Sequence, residues 1–303
     1  MATRLLNTAR TARAALLRTP SLSCPSRQAL SSLHMPAGAG TPTHNTLTLS
    51  PALMAATTST LLSGYELIVC DMAGTTIEEG GMVYETLRQV MVDDGLDVSV
   101  EAMHPWHGAK KEAVLEHFAR QCDTPLDELE TRINRVADAF MDSITDKYFS
   151  DNSPVALITP LLHDYLRRLH SAGIKVALDT GYPPEIQELL VKKMGFDDKT
   201  VVDGYISAYT VSEGRPYPYM IHRLMEQLGV QDVRKVAKVG DSVRDIEEGK
   251  NAGCGLVVGV LSGADSAADL LAAGADIIAD CVTDLPVPLP KREESSFRSP
   301  DMS

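Results

Sequence analysis

The chain has 303 residues, 44% of them hydrophobic, so it can bury a substantial core, and disorder of the whole chain is excluded. Its net charge of −13 argues against a nucleic-acid or anionic-membrane surface, because phosphate groups recruit clustered Lys and Arg. The five cysteines are odd in number and widely spaced, which supports neither a disulfide framework nor a zinc site. We therefore expect a small-molecule partner and a reducing compartment.

Residues 1–62 form a basic leader with no acidic residue, and the first one in the chain is Glu66. This composition is typical of an organelle transit peptide and predicts a mitochondrial or plastid location. A disordered extension without an address, and with it a cytoplasmic location, is the alternative. No run of eighteen apolar residues exists, so no membrane span is expected. The positive charges of the leader are five arginines: Arg4, Arg10, Arg13, Arg18 and Arg27.

From residue 65 onward, short apolar runs alternate with helical segments, and most of the runs end at polar or glycine-containing turns. Strands that alternate with helices predict an α/β protein with a Rossmann-like, doubly wound parallel sheet. Functional residues are then expected at the carboxyl ends of the strands. The predicted strands are 65–70 (YELIVC), 174–178 (IKVAL), 204–209, 236–239 (VAKV) and 256–261 (LVVGVL).

An interval of about a hundred residues with helical character separates the first two of these strands, which is too long for a plain loop. Within it, apolar residues recur at steps of three and four over 126–144, as on one helical face. We predict an inserted helical cap domain over 81–159, a Rossmann-like core over 63–80 and 160–289, and a disordered tail over 290–303. The predicted helices of this interval are 82–94, 112–121, 126–148 and 161–172.

Chemically active side chains follow the predicted strands. Asp71 ends the first strand, Thr180 and Gly181 end the second, and Asp241 and Asp245 follow the strand at 236–239. Two carboxylates from different strands suit Mg²⁺, which prefers oxygen ligands and usually shares its shell with a substrate phosphate. Asp71 is the candidate nucleophile. Asp241 and Asp245 also fit a simpler role as caps of the next helix.

The turn after Asp71 contains Gly74, Thr75 and Thr76, whose backbone N–H groups can approach anionic oxygens. The Thr180 hydroxyl is a further donor. Arg215 can supply the cation that neutralises a phosphoryl group during in-line transfer. Together these residues predict phosphoryl transfer.

Four segments occur in order along the chain: DMAGTT, LDTGY, GRPYP and VGDSVRDIEEGKNAG. They resemble the four motifs of the haloacid dehalogenase superfamily, over about residues 65–289. Within it, Ala73, the triplet at 180–182 and Arg215 resemble the phosphonatase-like branch, which includes phosphonoacetaldehyde hydrolase.

This resemblance implies a Mg²⁺-dependent hydrolase in which Asp71 becomes an aspartyl-phosphate. Asp71, the backbone carbonyl of Ala73 and the carboxylate of Asp241 would hold the Mg²⁺ ion. Asp245 would orient these ligands without binding the ion itself. Thr180 and Arg215 would stabilise the intermediate. The expected substrate contacts are Thr75, Thr76, Gly108, Thr180, Gly181, Tyr182 and Arg215.

Ala73 departs from the ordinary phosphatases of this superfamily, which carry an Asp there to protonate the leaving group. Phosphonatases break a C–P bond after a cap lysine forms a Schiff base with the substrate aldehyde. The corresponding residue is Lys111 when Gly108 is matched to the glycine of the family segment, and Lys110 is the alternative.

Two cap positions differ from strict phosphonatases. His107 stands where that family has Met, and Val114 stands where it has His, so the chain fits the broader phosphonatase-like group better. His104 and His107 flank Pro105 and Trp106 and are expected either to touch substrate or to pack the cap loop.

The first functional hypothesis is C–P hydrolysis of a small phosphonate aldehyde. The second is a phosphomonoesterase of the phosphoglycolate phosphatase type, which Ala73 weakens because the acid is missing. The third is a non-catalytic binding protein, which the joint presence of Asp71, Thr180, Arg215 and Asp241 disfavours. The expected partner is a phosphonate or phosphate compound, without nucleic acid or membrane, and the exposed cap offers a surface for a homodimer.

Overall fold

The computed structural model describes residues 61–122 and 124–289. The predicted leader, apart from its last two residues, and the predicted tail lie outside this range, so the transit peptide and the disordered tail stay predictions. None of the described helices is both long enough and apolar enough to cross a membrane.

Six parallel strands form the central sheet, in the spatial order β5-β4-β1-β6-β7-β8. This order, with helices on both faces, confirms the predicted Rossmann-like α/β fold. Residues 277–279 form an edge strand that the sequence analysis did not predict. The strands are β1 (Leu67–Asp71), β4 (Lys175–Thr180), β5 (Gly204–Ser207), β6 (Val236–Gly240), β7 (Leu256–Val260) and β8 (Ile277–Ala279). A separate antiparallel pair consists of β2 (Ile77–Glu78) and β3 (Ala156–Leu157).

Nine α-helices lie in the described part of the chain. The four predicted ones occur within about two residues of their expected ends, whereas the short helix at 100–103 was not predicted. The helices are α1 (Met82–Asp93), α2 (Val100–Met103), α3 (Lys111–Gln121), α4 (Leu126–Phe149), α5 (Leu162–Ser171), α6 (Pro184–Met194), α7 (Tyr219–Leu228), α8 (Val243–Ala252) and α9 (Ala267–Ala273).

Strand β1 lies at the centre of the sheet and is buried along its whole length. Ile68 and Cys70 face the hydrophobic cluster that contains α5 and α6, whereas Leu67 and Val69 face the cluster that contains α7. A strand that is covered on both faces needs apolar residues at consecutive positions, which explains why its sequence is continuous rather than alternating. Cys70 is fully buried in this core.

Helices α1 to α4, which we call the cap, lie in the chain between β2 and β3. Helix α4 packs against α1 and α3 through the predicted apolar face, which includes Val136, Phe140 and Ile144. The two connections to the core are paired, with Ile77 opposite Leu157. The two chain connections between the cap and the core therefore lie side by side.

Candidate active site

A cavity of about 220 Å³ lies between the carboxyl ends of the strands and the cap. Its wall brings together residues from β1, β4, the loop after β6 and the start of α3. Ten predicted site residues line it: Asp71, Ala73, Gly108, Lys111, Thr180, Gly181, Tyr182, Arg215, Asp241 and Asp245.

Two predicted substrate contacts, Thr75 and Thr76, do not line the cavity and are fully buried. The hydroxyl of Thr76 donates to the backbone carbonyl of Asp71 at 2.9 Å, and that of Thr75 donates to Asp241 Oδ1 at 3.2 Å. Short hydroxyl side chains in a turn readily bond to nearby groups of their own loop. Their side chains therefore hold site residues in place. The N–H of Thr76 also donates to the Met72 carbonyl at 3.0 Å, whereas the contact of the Thr75 N–H with substrate stays a prediction.

Asp71 is 5% exposed, and its Oδ1 atom lies 2.7 Å from Nη2 of Arg215. Burial raises the pKa of Asp71 to about 7, and the Arg215 charge opposes this rise. The turn that follows leaves no room for a side chain at Gly74, where φ is +85° and a Cβ would meet Asp241 Oδ2 at 2.5 Å. The absence of a side chain at Gly74 thus allows the carboxylates of Asp71 and Asp241 to lie close together.

Oxygen atoms of Asp71, Asp241 and Asp245 lie within 4.8 Å of one another. Burial, Asp71 and Asp245 all raise the pKa of Asp241 well above its ordinary value, whereas hydrogen bonds from Ala264 N–H and the Thr75 hydroxyl lower it. Neighbouring buried carboxylates are unfavourable unless a cation or proton joins them. Asp71 and Asp241 therefore have the donor chemistry that a hard divalent cation requires.

Asp245 lies close to this pair and also contacts other polar groups. Its Oδ2 accepts hydrogen bonds from the Ser242 hydroxyl at 2.5 Å and the Ser242 N–H at 3.3 Å, which forms a capping box at the start of α8. Its Oδ1 lies 3.0 Å from Arg215 Nε and 3.1 Å from Lys238 Nζ. The structure thus places Asp245 both as a helix cap and as a support for Arg215.

A network of buried charges lies behind the cavity and was missed by the sequence analysis. Lys238 Nζ lies 2.6 Å from both carboxylate oxygens of Asp179 and 3.1 Å from Glu248 Oε2. Arg215 also pairs with Asp179 and with Glu248. Burial and Asp179 raise the pKa of Glu248 to about 8. The sequence contains one indication of this network, which is a charged residue inside each of two apolar strands: Lys238 in VAKV and Asp179 in VALD.

This network fixes the orientation of Arg215. Its Nε and Nη2 atoms contact carboxylates, whereas its Nη1 atom lies towards the cap, 3.7 Å from where a Cβ on Gly108 would be. Gly108 has φ +76°, and a Cβ there would meet the Ser242 hydroxyl at 2.7 Å. One edge of the guanidinium therefore faces the cavity, where it can meet an anion.

Lys111 is 4% exposed, and its Nζ atom donates to the Tyr84 hydroxyl at 2.8 Å and to the Ala109 carbonyl at 3.2 Å. Burial lowers the pKa of Lys111 to about 7, although the charge of Asp71 opposes this shift. Lys110 instead lies with its Nζ 4.8 Å from the centre of the Tyr209 ring, and it does not line the cavity. The structure thus distinguishes the two candidate lysines.

A hydrogen-bonded chain of three side chains borders the Lys111 side of the cavity. The Tyr182 hydroxyl lies 2.7 Å from the Tyr148 hydroxyl, which donates to Glu79 Oε2 at 2.7 Å. Burial raises the pKa of Glu79. The Nζ of Lys111 lies 5.6 Å from the Tyr182 ring centre. The sequence did not indicate the contact between Glu79 and Tyr148, because 69 residues separate them.

The cap loop contacts the core directly. Arg244 Nε donates to the Pro105 carbonyl at 3.0 Å, and the guanidinium lies 5.0 Å from the Trp106 ring centre. His107 lines the cavity and stacks on Tyr84 at 4.3 Å, and burial lowers its pKa to about 4. His104 reaches the core instead. The expected substrate contact of the two cap histidines stays a prediction.

The sequence model of the haloacid dehalogenase-like hydrolases matches residues 65–253. A phosphonoacetaldehyde hydrolase from Lysinibacillus sphaericus (strain C3-41) is 28% identical over 216 residues, which cover 65% of this chain and 75% of that protein. A bifunctional phosphonoacetaldehyde hydrolase/aminoethylphosphonate transaminase from Clostridioides difficile (strain 630) is 27% identical over 202 residues. This second match covers 61% of this chain and 30% of the relative, so the chain spans less than a third of that longer protein.

Solved structures share the fold. A phosphonoacetaldehyde hydrolase like protein from Oleispira antarctica has a TM-score of 0.61 at 21% identity, over 74% of this chain and 91% of that one. A predicted phosphoglycolate phosphatase from Haemophilus somnus 129pt has a TM-score of 0.57 at 20% identity, over 73% of this chain and 96% of that one. The family resemblance of the four motifs is thus confirmed. The chain belongs to the haloacid dehalogenase-like hydrolases.

Proposed function

We propose that this hydrolase cleaves the C–P bond of a small phosphonate aldehyde of the phosphonoacetaldehyde type. The observation that carries the proposal is the pairing of Ala73 with Lys111 in one cavity. The first residue cannot protonate an ester oxygen, and the second is a buried amine whose pKa is lowered to about 7.

Ala73 lines the cavity two residues after Asp71, where its methyl group can neither donate nor accept a proton. Hydrolysis of an alkyl phosphate needs a proton on the departing oxygen, which a positioned acid usually supplies. Cleavage of a C–P bond has a different requirement, because the electron pair of that bond stays with the carbon atom and must be stabilised by a neighbouring electron acceptor. A protonated imine next to that carbon accepts this electron pair.

Lys111 is the group that forms this imine. Its neutral amine attacks the aldehyde carbonyl, the C–N bond forms, and the carbonyl oxygen leaves as water after it has gained two protons. Because burial disfavours the charged ammonium form, a large fraction of the amine is neutral near pH 7. The Tyr84 hydroxyl holds the amine in place.

Asp71 then attacks phosphorus while the C–P bond breaks, and the electron pair of that bond moves into the protonated C=N bond, so that the protonated imine becomes a neutral enamine. Water later cleaves the aspartyl-phosphate to release phosphate, and protonation and hydrolysis of the enamine release the shortened aldehyde and restore Lys111. Thr180 and the cavity-facing edge of Arg215 are placed to hold the phosphoryl oxygens.

The metal that fits the site is Mg²⁺. Asp71, Asp241 and the backbone carbonyl of Ala73 would hold it, because two buried carboxylates face each other here and oxygen ligands suit this ion. When bound, it supplies positive charge that offsets the negative charge of the phosphoryl group. Asp245 acts as a positioning residue through Arg215 and the capping box.

Reductive trapping tests the proposal. Incubation with phosphonoacetaldehyde and borohydride is expected to attach a covalent adduct to the wild-type protein and to Lys110→Ala, but not to Lys111→Ala. Lys110 is the matched control because it is adjacent but lies against Tyr209. Normal turnover by Lys111→Ala would contradict the Schiff base, and faster hydrolysis of phosphate monoesters than of phosphonates would favour the phosphomonoesterase alternative.

A further inference from the structure

Three side chains converge at the junction of cap and core, apart from the Asp71 and Asp241 pair. His104 and His107 belong to the cap loop, and Asp265 belongs to the loop after β7. One ligand atom from each lies within 4.8 Å of the others. His104 starts a 3₁₀ helix over His104–Trp106, and three residues per turn bring His107 to the same side.

A second observation points to a missing ligand. His107 Nδ1 and Asp265 Oδ1 are buried atoms without a hydrogen-bond partner in the described part of the chain. Asp265 is only 7% exposed, and its other oxygen accepts from Val243 N–H at 2.6 Å. The His104 Nε2 atom lies 3.2 Å from Oδ1, yet no hydrogen bond joins them. Buried polar atoms normally have a hydrogen-bond partner, so two buried atoms without a hydrogen bond in one cluster point to a missing ligand.

We propose that His104, His107 and Asp265 bind a divalent transition metal of the Zn²⁺ type, at a site separate from the Mg²⁺ carboxylates. Two imidazoles and a carboxylate suit Zn²⁺, whereas Mg²⁺ prefers a shell of oxygens. Three protein ligands leave a further coordination position for water. The half-exposed side chain of His104 gives the ion a path from solvent.

The site connects the cap to the core. Its histidines come from the cap loop, and the N–H of Asp265 donates to the backbone carbonyl of Asp241 at 3.0 Å. His107 also lines the cavity and stacks on Tyr84. A bound ion would therefore hold the cap against the core.

Co²⁺ titration in excess Mg²⁺ tests this proposal, because Co²⁺ with four or five ligands absorbs strongly in the visible range. The wild-type protein is expected to bind one Co²⁺ per chain with such a spectrum. His104→Ala and Asp265→Asn should each weaken Co²⁺ binding at least about 100-fold, since even the loss of an outer partner of a ligand costs 10–100-fold.

His117→Ala is the matched control, because His117 stacks on Trp106 at 4.6 Å and is not a member of the cluster. It should bind Co²⁺ like the wild-type protein. Absence of the spectrum in the wild-type protein, or unchanged affinity in His104→Ala, would overturn the proposal. Equal losses in His117→Ala and His104→Ala would overturn it as well, since they would reflect the cap loop as a whole. His104 has a 52% exposed side chain, so its replacement is compatible with folding.

Discussion

The amine of Lys111 donates a 2.8 Å hydrogen bond to the hydroxyl of Tyr84, which also accepts a hydrogen bond from the backbone N–H of Gly108. Burial raises the pKa of Tyr84, so this hydroxyl stays a neutral phenol beside the amine. A carboxylate in its place would stabilise the ammonium form. The neutral partner instead leaves burial as the dominant influence on Lys111.

The rate of imine formation should therefore depend on pH in a characteristic way. The pKa of Lys111 is lowered to about 7, so the amine loses its proton as the pH rises through this value. We expect the initial rate of reductive trapping with phosphonoacetaldehyde to rise up to about pH 7 and then to level off. An increase that continues towards pH 10, as for an ordinary lysine, would contradict this prediction.

Replacing Asp71 by Asn should abolish hydrolysis of all phosphonate and phosphate substrates. The amide is nearly the same size but is a poor nucleophile, so we expect a fall in kcat of at least about 1,000-fold, comparable to other nucleophile losses. The adduct on Lys111 should still form in this variant, because imine formation precedes phosphoryl transfer. Turnover and trapping on one preparation measure both effects, and substantial residual turnover would exclude an aspartyl-phosphate.

Ala73→Asp should create the acid that ester hydrolysis needs. General acid catalysis contributes about 100- to 10,000-fold, so we expect kcat/KM for an alkyl phosphate to rise by about 100-fold or more. Hydrolysis of p-nitrophenyl phosphate should change little, because its leaving group departs without a proton. Equal changes with both esters would show that the substitution alters binding and not leaving-group protonation.

Lys238→Met should strongly destabilise the fold. The substitution leaves Asp179, Asp245 and Glu248 buried without one of their two cations. Removal of one partner from a buried ion pair costs about 3–5 kcal/mol, which urea unfolding can measure.

The control for this variant is Lys235→Met, which removes an exposed pair with Glu66 and should cost no more than about 1 kcal/mol. A Lys238→Met variant as stable as Lys235→Met would show that the network carries little of the folding energy.

Much of the site could be predicted because it follows from topology. Parallel strands end at one edge of a sheet, so Asp71, Thr180 and Asp241, at or just after the ends of β1, β4 and β6, had to meet there once the strands were recognised. The hydroxyl contacts of Thr75 and Thr76 could not be predicted, because the competition of nearby loop groups for these hydroxyls is a three-dimensional property.

Other parts of the site could not be predicted because they depend on strand register and on distant packing. Lys238 and Asp179 approach each other because β6 and β4 both flank β1, with Lys238 beside Val69 and Asp179 beside Asp71. The contact between Glu79 and Tyr148 depends on how α4 lies over the start of α1. Neither contact is indicated by a periodic pattern or a fixed spacing in the sequence.

The pairing of β2 with β3 makes the helical insertion an exchangeable module. Ile77 and Leu157 are direct neighbours across the ribbon, so the chain leaves the sheet domain and returns to it at adjacent points. Because these attachment points are adjacent, the insertion does not interrupt the order of the six strands. The phosphoryl chemistry at β1, β4 and β6 can then be retained in evolution or in protein engineering while the substrate-recognising part is replaced.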